Sequence, residues 1–271
     1  MIADPLLAAR AALAFWRAAG VDMDQAEAVF AAPRPAAGRQ PAPKTSPKPA
    51  PSPRRQAAAG SSVENAREFA AAARSIAELK AAVEAFNGCA LKATARNTVF
   101  CDGALDAEVL LIGEAPGKEE DEQGKPFVGR SGQLLDRMLA LIGLNRKSNI
   151  LISNTIYWRP PGNRDPTQGE IVACLPFVER LIVLSRPKLL VLTGKAAAHT
   201  VLKREDGVMK LRGRRFQHRT EAGAVNAMVM LHPAYLLRQP HQKRLAWADL
   251  LAAEAWLDEL GAARLRPGVV S

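Results

Sequence analysis

Three polar side chains occur where apolar segments of the chain end, and their types could serve chemistry. Glu114, Asn154 and His232 each come one or two residues after an apolar run. An asparagine there can donate and accept at once, which suits the recognition of one edge of a nucleobase. The alternatives are that the asparagine bonds to its own loop and that the lone histidine is structural. The segments around these residues are therefore the ones to interpret.

The segment from Gly113 to Gly132 combines glycines with a run of acids. Glycines let backbone N–H groups approach a ligand closely, and a helix beginning at Ser131 presents free N–H groups suited to a phosphate. A solvated acidic turn would account for this run and fits Glu119 and Glu122 well. Glu114 directly follows a buried strand, so we expect it to point into a cleft.

Apolar strands alternate with helical patterns four times along the chain. The predicted strands span residues 108–112, 149–153, 189–192 and 225–231, and the following helices span 131–142, 167–184, 196–202 and 241–260. This alternation predicts a three-layer α/β/α domain with a central, mainly parallel four-stranded sheet. Ligands bind such sheets at the carboxyl ends of the strands, which is where the three polar residues lie.

The composition divides the chain into three predicted parts. Residues 1–31 carry the apolar stripe of a helical segment, which Gly20 interrupts. Residues 32–62 contain eight prolines and six lysines and arginines but no acid, which predicts a disordered linker. That linker is either a tether or an arm that contacts DNA phosphates. The folded domain is predicted over 63–265, with a first helix from residue 63 to about 86.

Charge and cysteine content restrict the partners and the compartment. The net charge of +10 favours a polyanionic partner such as DNA or RNA. No apolar run is long enough to span a membrane, and charged residues interrupt the N-terminal apolar stretch, which argues against a secretory signal. The three cysteines are too few for a disulfide framework. We expect a monomer in the cytoplasm, associated with the nucleoid.

Three segments resemble the uracil-DNA glycosylase superfamily, and most closely its family 4. They read GEAPGKEEDEQGKPFVGRSGQLLDRML, NTIYWRPPGNRDPTQGEIVACLPFVERLI and HPAYLLR, and each follows its own predicted strand. The resemblance spans roughly residues 86–250. It implies a DNA-repair enzyme that flips uracil out of DNA, hydrolyses its N-glycosidic bond and leaves an abasic site, without a covalent intermediate or a lyase step.

The resemblance assigns residues to the base pocket. Phe127 would stack on the flipped base, and Asn154 would bond to the O4 and N3 edge of uracil. His232 would donate to uracil O2 as negative charge develops on the departing base. Gly113 and Ala115 would complete the pocket.

The residue that orients the attacking water is assigned differently. Glu114 would help to position the base and the water. In the best-known family of the superfamily an aspartate orients the water, at the position that is Ala115 here. The candidate in this chain is Glu120, with Asp121 as second choice.

The predicted DNA contacts follow the same segments. Leu236 and Leu237 would wedge into the base stack that the flipped nucleotide vacates, with Arg238 on a phosphate. Arg130, Ser131 and Lys195 would make further contacts to the DNA backbone.

Four cysteines usually hold a four-iron, four-sulfur cluster in family 4, and this chain departs from that pattern. Cys89 and Cys174 match two of the ligand positions, whereas Phe86 and Trp158 stand at the other two. Cys101 falls on a turn position. We therefore expect no standard cluster, with the two aromatic residues filling its space as an apolar plug and the two cysteines left as buried thiols.

Two other functions fit the same scaffold. One is a damaged-DNA-binding or polymerase-associated module without turnover, and the other is a glycosylase for hypoxanthine or xanthine. The joint presence of Phe127, Asn154 and His232 favours catalysis, and Asn154 favours uracil. Residues 1–31 are a candidate site for a protein partner.

Overall fold

The computed structural model describes residues 53–265, with side chains from residue 63 onward. The predicted helical segment 1–31 and most of the predicted linker lie outside the described residues. Helix α1 (Pro53–Ala72) begins inside the segment that was predicted as linker. Proline is well tolerated in a first helical turn, and the arginines, glutamine and alanines that follow it favour helix, which explains the difference.

The single helix predicted over residues 63–86 is two helices. After α1 the chain breaks and restarts as α2 (Ile76–Ala85), where the hydroxyl of Ser75 caps the new helix by accepting from the N–H of Glu78 at 3.1 Å. A serine at this position offers the free N–H group a partner, so it starts a helix rather than continuing one.

Six strands form one sheet, in the order β1-β3-β2-β4-β6-β5. Their bounds are β1 (Cys101–Gly103), β2 (Val109–Gly113), β3 (Ile150–Asn154), β4 (Leu189–Thr193), β5 (Arg215–Thr220) and β6 (Gly223–Met230). The inner four run parallel, and β1 and β5 pair antiparallel at the two edges. The four predicted strands are therefore this parallel core, and the predicted number of strands was too low. Short β1 and polar β5 lack the apolar runs that marked the others.

Helices cover both faces of the sheet, as the three-layer prediction requires. The remaining helices are α3 (Lys118–Gln123), α4 (Arg130–Ala140), α5 (Gln168–Ser185), α6 (Gly194–Leu202), α7 (Val208–Leu211), α8 (Pro233–Arg238) and α9 (Lys243–Glu259). Every residue of β2, β3 and β4 is buried, because each of these strands is covered on both sides.

Two apolar cores result from the alternation of side chains along the strands. Leu110 and Ile112 of β2 point into the core beneath α1, α2, α5 and α6. Val109 and Leu111 point into the opposite core, which contains residues of α4 and α9. No helix in the described part of the chain has the length and apolarity needed to cross a bilayer.

Candidate active site

The carboxyl ends of β2, β3 and β6 meet at one edge of the sheet, as parallel strands require. Gly113 and Asn154 are register partners there, and His232 follows β6 at the start of α8. A cleft of about 1150 Å³ opens at this edge. The cleft is lined by residues from three separate segments of the chain: Glu114, Phe127, Asn154 and His232.

Gly113 allows the side chains of Asn154 and Phe127 to lie close to the backbone at the end of β2. A Cβ atom at Gly113 would lie 2.5 Å from both Asn154 Oδ1 and Phe127 Cζ, so any larger residue would push the amide or the ring away. Asn154 is 2% exposed, and its side-chain amide bonds to no other described residue. Buried amides almost always have hydrogen-bond partners. The amide of Asn154 is therefore available to a ligand.

Phe127 lies in this cleft with an unusual backbone conformation. Its φ is +54°, a region that residues other than glycine rarely adopt. A side chain at Gly132 would collide with the carbonyl group of Phe127, so the start of α4 packs directly on this residue. The phenyl ring is buried, and its centroid lies 5.5 Å from that of the His232 ring, with the ring planes tilted by 31°.

His232 is held as a neutral hydrogen-bond donor. Its Nδ1 accepts from the backbone N–H of Ala234 at 3.1 Å, which leaves the proton on Nε2. Burial, with a smaller effect from Arg238, lowers the pKa of His232 to about 4. At neutral pH the imidazole is thus uncharged and can donate through Nε2. Gly194, at φ +87°, lies beside His232, and a Cβ atom at Gly194 would be 3.0 Å from His232 Cβ.

Of the three acids proposed for the water, only Glu114 has a free carboxylate. Both oxygens of Glu120 accept backbone N–H groups, and the residue is buried within the first loop. Asp121 is also buried and accepts the N–H groups of Arg96 and Asn97. Glu120 also lines the cleft, so its assignment to the water stays a prediction, as does that of Asp121, although both carboxylates already accept backbone N–H groups. Both acids belong to α3, which replaces the expected solvated turn.

Glu114 is half-buried, lines the cleft, and its carboxylate bonds to no other described residue. Burial is the larger cause that raises its pKa, and the charge of Asp165 adds to the effect. A carboxyl group with a raised pKa accepts a proton more readily than an ordinary one. Neighbouring Ala115 is half-buried in the same cleft and leaves room beside it.

The predicted DNA contacts fall into exposed and buried residues. Arg130, Lys195 and Arg238 are exposed, and Ser131 is half-buried on the wall of the cleft. Leu237 is exposed, but Leu236 is 0% exposed and packs in the core with α4 and α9. The role of Leu236 as a wedge was therefore wrong, because consecutive residues of a helix face different ways. Of the two leucines, only Leu237 can reach a base stack.

The residues at the cluster positions, Phe86, Cys89, Trp158 and Cys174, form a buried group that we call the aromatic node. The ring of Phe86 folds over Gly88, where a Cβ atom would collide with it, and its centroid lies 5.1 Å from that of Phe177. Trp158 Nε1 donates to Thr98 Oγ1 at 3.0 Å. Phe86 therefore packs against another ring in the core, and the indole N–H of Trp158 has a hydrogen-bond partner.

Two thiols remain in the aromatic node. A hydrogen bond from Cys174 lowers the pKa of Cys89, and the same hydrogen bond, followed by burial, raises the pKa of Cys174. Within the described residues no group of three or more histidine, cysteine or acidic side chains could hold a metal ion. A four-iron cluster needs a full set of ligands, so this pair of thiols does not fit one.

Comparison with known proteins identifies the family to which this chain belongs. A family model described as the uracil DNA glycosylase superfamily matches residues 100–251. A type-4 uracil-DNA glycosylase of Pyrobaculum aerophilum is 35% identical over 156 residues, covering 56% of this chain and 79% of that protein. One of Thermotoga maritima is 33% identical over 182 residues, covering 66% of this chain and 93% of that protein.

A third relative, the type-4 uracil-DNA glycosylase of Archaeoglobus fulgidus, is 36% identical over 156 residues, covering 56% of this chain and 78% of that protein. The matched range contains β1 to β6 and every residue of the cleft named above. The chain belongs to the uracil-DNA glycosylase superfamily, within its type-4 branch.

Proposed function

We propose that the protein is a uracil-DNA glycosylase of base-excision repair, which hydrolyses the N-glycosidic bond of uracil in DNA. The observation that supports this most strongly is the convergence of Asn154, Phe127 and His232 in one cleft. The buried amide lacks a protein partner, and the neutral imidazole has a free donor. Polar groups left unsatisfied in a buried site are the ones a ligand completes.

Base recognition uses Phe127 and Asn154, which lie next to each other beside Gly113. The flipped uracil stacks on Phe127, where an aromatic face attracts a base without polar partners. The amide of Asn154 accepts from N3–H and donates to O4. Cytosine presents an amino group at that position, so it would leave the amide nitrogen facing another donor. This mismatch selects uracil.

Bond cleavage relies on stabilising the departing base. As the bond between C1′ and N1 breaks, its electron pair moves onto the uracil ring and the sugar becomes oxocarbenium-like. His232 Nε2–H donates to uracil O2, where negative charge accumulates. Because burial keeps the imidazole neutral, it stabilises the uracil anion without first giving up a full proton.

Water completes the reaction at C1′. Glu114 is our candidate for orienting this water and accepting its proton, since its carboxylate is free and its pKa is raised. The uracil anion then takes up a proton, so the products are free uracil and an abasic site, and no covalent intermediate forms. Arg130, Lys195 and Arg238 are the candidates for phosphate contacts, and Leu237 for the wedge.

A cleavage assay tests the proposal directly. The protein is incubated with an oligonucleotide that contains one deoxyuridine, and abasic sites are revealed as alkali-labile breaks. Matched oligonucleotides with cytosine, hypoxanthine or xanthine at the same position serve as controls. We expect breaks with uracil alone. Tight binding of the uracil oligonucleotide without any break would instead indicate a binding module, and breaks mainly with hypoxanthine or xanthine would indicate a different base specificity.

We further propose that this enzyme works without a four-iron cluster, since Phe86 and Trp158 occupy two of the ligand positions. Protein purified without oxygen should be colourless, with under ~0.5 iron per chain and no broad absorbance near ~400 nm. Iron is measured by atomic absorption on the same sample that is assayed for cleavage. A brown protein with about four irons per chain would overturn this proposal and leave the proposed activity intact.

A further inference from the structure

Arg146 lies in the turn between α4 and β3, outside all three of the motifs that define the cleft. Its side chain is 16% exposed. The guanidinium donates to the backbone carbonyl of Pro126 at 3.1 Å and to that of Phe127 at 2.9 Å. An arginine thus fixes the backbone of the residue whose ring we assign to the base.

Two carboxylates hold this guanidinium in place. Nη1 donates to Asp102 at 2.8 Å, while Nε and Nη2 donate to Asp136 at 3.0 and 2.8 Å. Asp102 lies on β1 and Asp136 on α4, so the guanidinium is anchored to both the sheet and a helix. The planar fork of arginine has few rotational options once it is bonded in this way.

Glu120 acts on the other end of the same peptide group. Its Oε1 accepts the N–H of Val128 at 3.0 Å and that of Gly129 at 2.9 Å. The peptide between Phe127 and Val128 is therefore bonded at its carbonyl by a cation and at its N–H by an anion. Both bonds are charge-assisted, which makes them stronger than ordinary backbone hydrogen bonds.

The conformation of Phe127 explains why such bonds are needed. A residue with a side chain at φ +54° is strained and keeps that conformation only where its surroundings impose it. Rotation about this backbone would carry the ring away from Gly113 and from His232, the two contacts that define its position in the cleft.

We infer that Arg146 and Glu120 are positioning residues, which clamp the peptide after Phe127 so that its ring is already in place for the flipped base. This inference rests on the proposed function. It assigns the two residues an effect on base binding that passes through the ring of Phe127. In this role neither residue contacts the base, the sugar or the water.

Substitution at Arg146, with a matched control elsewhere, tests this role. Arg146→Gln should lower kcat/KM for uracil excision about tenfold, because small displacements of a positioning group cost up to ~10²-fold. The control is Arg264→Gln. Arg264 is also 16% exposed, donates to the carbonyl of Ile142, and pairs with Glu254 and Asp258 away from the cleft. It should change kcat/KM by less than about twofold at a similar loss of Tm.

A double-mutant cycle separates positioning from general stability. In a Phe127→Ala background the ring is gone, so adding Arg146→Gln should cost less than about twofold in kcat/KM. The inhibition constant of free uracil should rise in Arg146→Gln and should be equal in Phe127→Ala with and without the second change. Glu120→Gln should behave like Arg146→Gln in both measurements.

The outcomes distinguish this inference from the proposed function. A wild-type protein that neither excises nor binds uracil refutes the proposed function. A wild-type enzyme that excises uracil, combined with full additivity of Arg146→Gln and Phe127→Ala, refutes the clamp. If Arg146→Gln does not fold, Arg146→Lys replaces it, because lysine keeps the charge with fewer donors. In the same cycle with Phe127→Ala, full additivity refutes the clamp, and an effect below about twofold in the Phe127→Ala background supports it.

Discussion

The cleft and the aromatic node both contain buried residues, but their polar groups differ in whether they have protein partners. In the cleft, Asn154 has an amide without a protein partner, and the carboxylate of Glu114 is free. In the aromatic node, Trp158 satisfies its indole N–H with Thr98, and Phe86 packs against other rings. The cleft therefore has polar groups that a ligand could bind, whereas the polar side chain of the aromatic node already has a partner in the protein.

Their places in the fold explain how this difference can exist. Phe127 belongs to the core on the side of α4 and α9, and the four residues of the aromatic node belong to the core beneath α1, α2 and α5. The sheet lies between the two. Phe86 and Trp158 therefore pack within one core, and neither is among the residues that line the cleft.

The largest effect should follow from removing the open polar groups of the cleft. Asn154→Ala and His232→Ala should each lower uracil excision by at least ~10²-fold, since preorganised donors of this kind contribute about that much. Asn154→Ala should leave the Tm close to that of the wild type, because the amide has no protein partner. His232→Ala should lower the Tm slightly, because the ring caps α8 by accepting the N–H of Ala234. Single-turnover rates on a deoxyuridine oligonucleotide, with thermal melts of the same samples, provide the measurement.

Either variant with a rate within about threefold of the wild type would remove that residue from the site. Thr200→Ser is the control, because Thr200 lines the same cleft without an assigned role, and a small change there tests whether any alteration of the wall is harmful.

The opposite result is expected in the aromatic node. Phe86→Ala should lower the free energy of unfolding by about 3–5 kcal/mol, the usual cost of deleting a buried phenyl ring. Excision well below the Tm should change by less than about twofold, since Phe86 does not line the cleft. Urea unfolding and single-turnover rates measure the two effects separately.

Phe69→Ala is the control for that experiment. Phe69 packs against Phe86 with a centroid separation of 6.0 Å but is 40% exposed, so its deletion leaves a smaller cavity and should cost less. Equal losses for the two variants would show that Phe86 does not fill an enclosed space. A large loss of excision in Phe86→Ala would show that the node and the cleft are coupled.

Much of the framework of the cleft could be predicted from the sequence, because runs of apolar residues mark the buried strands. The four parallel strands, the cleft at their carboxyl ends and the convergence of Glu114, Asn154 and His232 there all follow from these runs. The edge strands could not be predicted in this way. Strand β5, for example, reads RFQHRT and has one buried residue, His218.

The sequence could not show how side chains divide their hydrogen bonds. Glu120 and Asp121 look like exposed acids in a polar run, yet each bonds to backbone N–H groups of residues that come close only in the folded chain. Arg146 lies in an unremarkable turn, and its contacts to Phe127 are also long-range. Leu236 and Leu237 are identical in type, and only the orientation of α8 separates the buried one from the exposed one.

The smallest effect should come from the basic residues that precede α1. Residues 32–52 contain Arg34, Arg39, Lys44 and Lys48 and no acid, and we propose that they form an arm for DNA phosphates. Replacing all four by serine keeps the chain length and removes four charges. The slope of log K against log salt should fall by at most about 3.6, because each of the four phosphate contacts contributes ~0.7–0.9. Excision from a short oligonucleotide at low salt should hardly change, since the proposed catalytic residues all lie between Glu114 and His232.

Anisotropy titrations with uracil-free DNA at several salt concentrations give the slope. An unchanged slope would make this segment a tether, and residues 1–31 would then be tested for a protein partner.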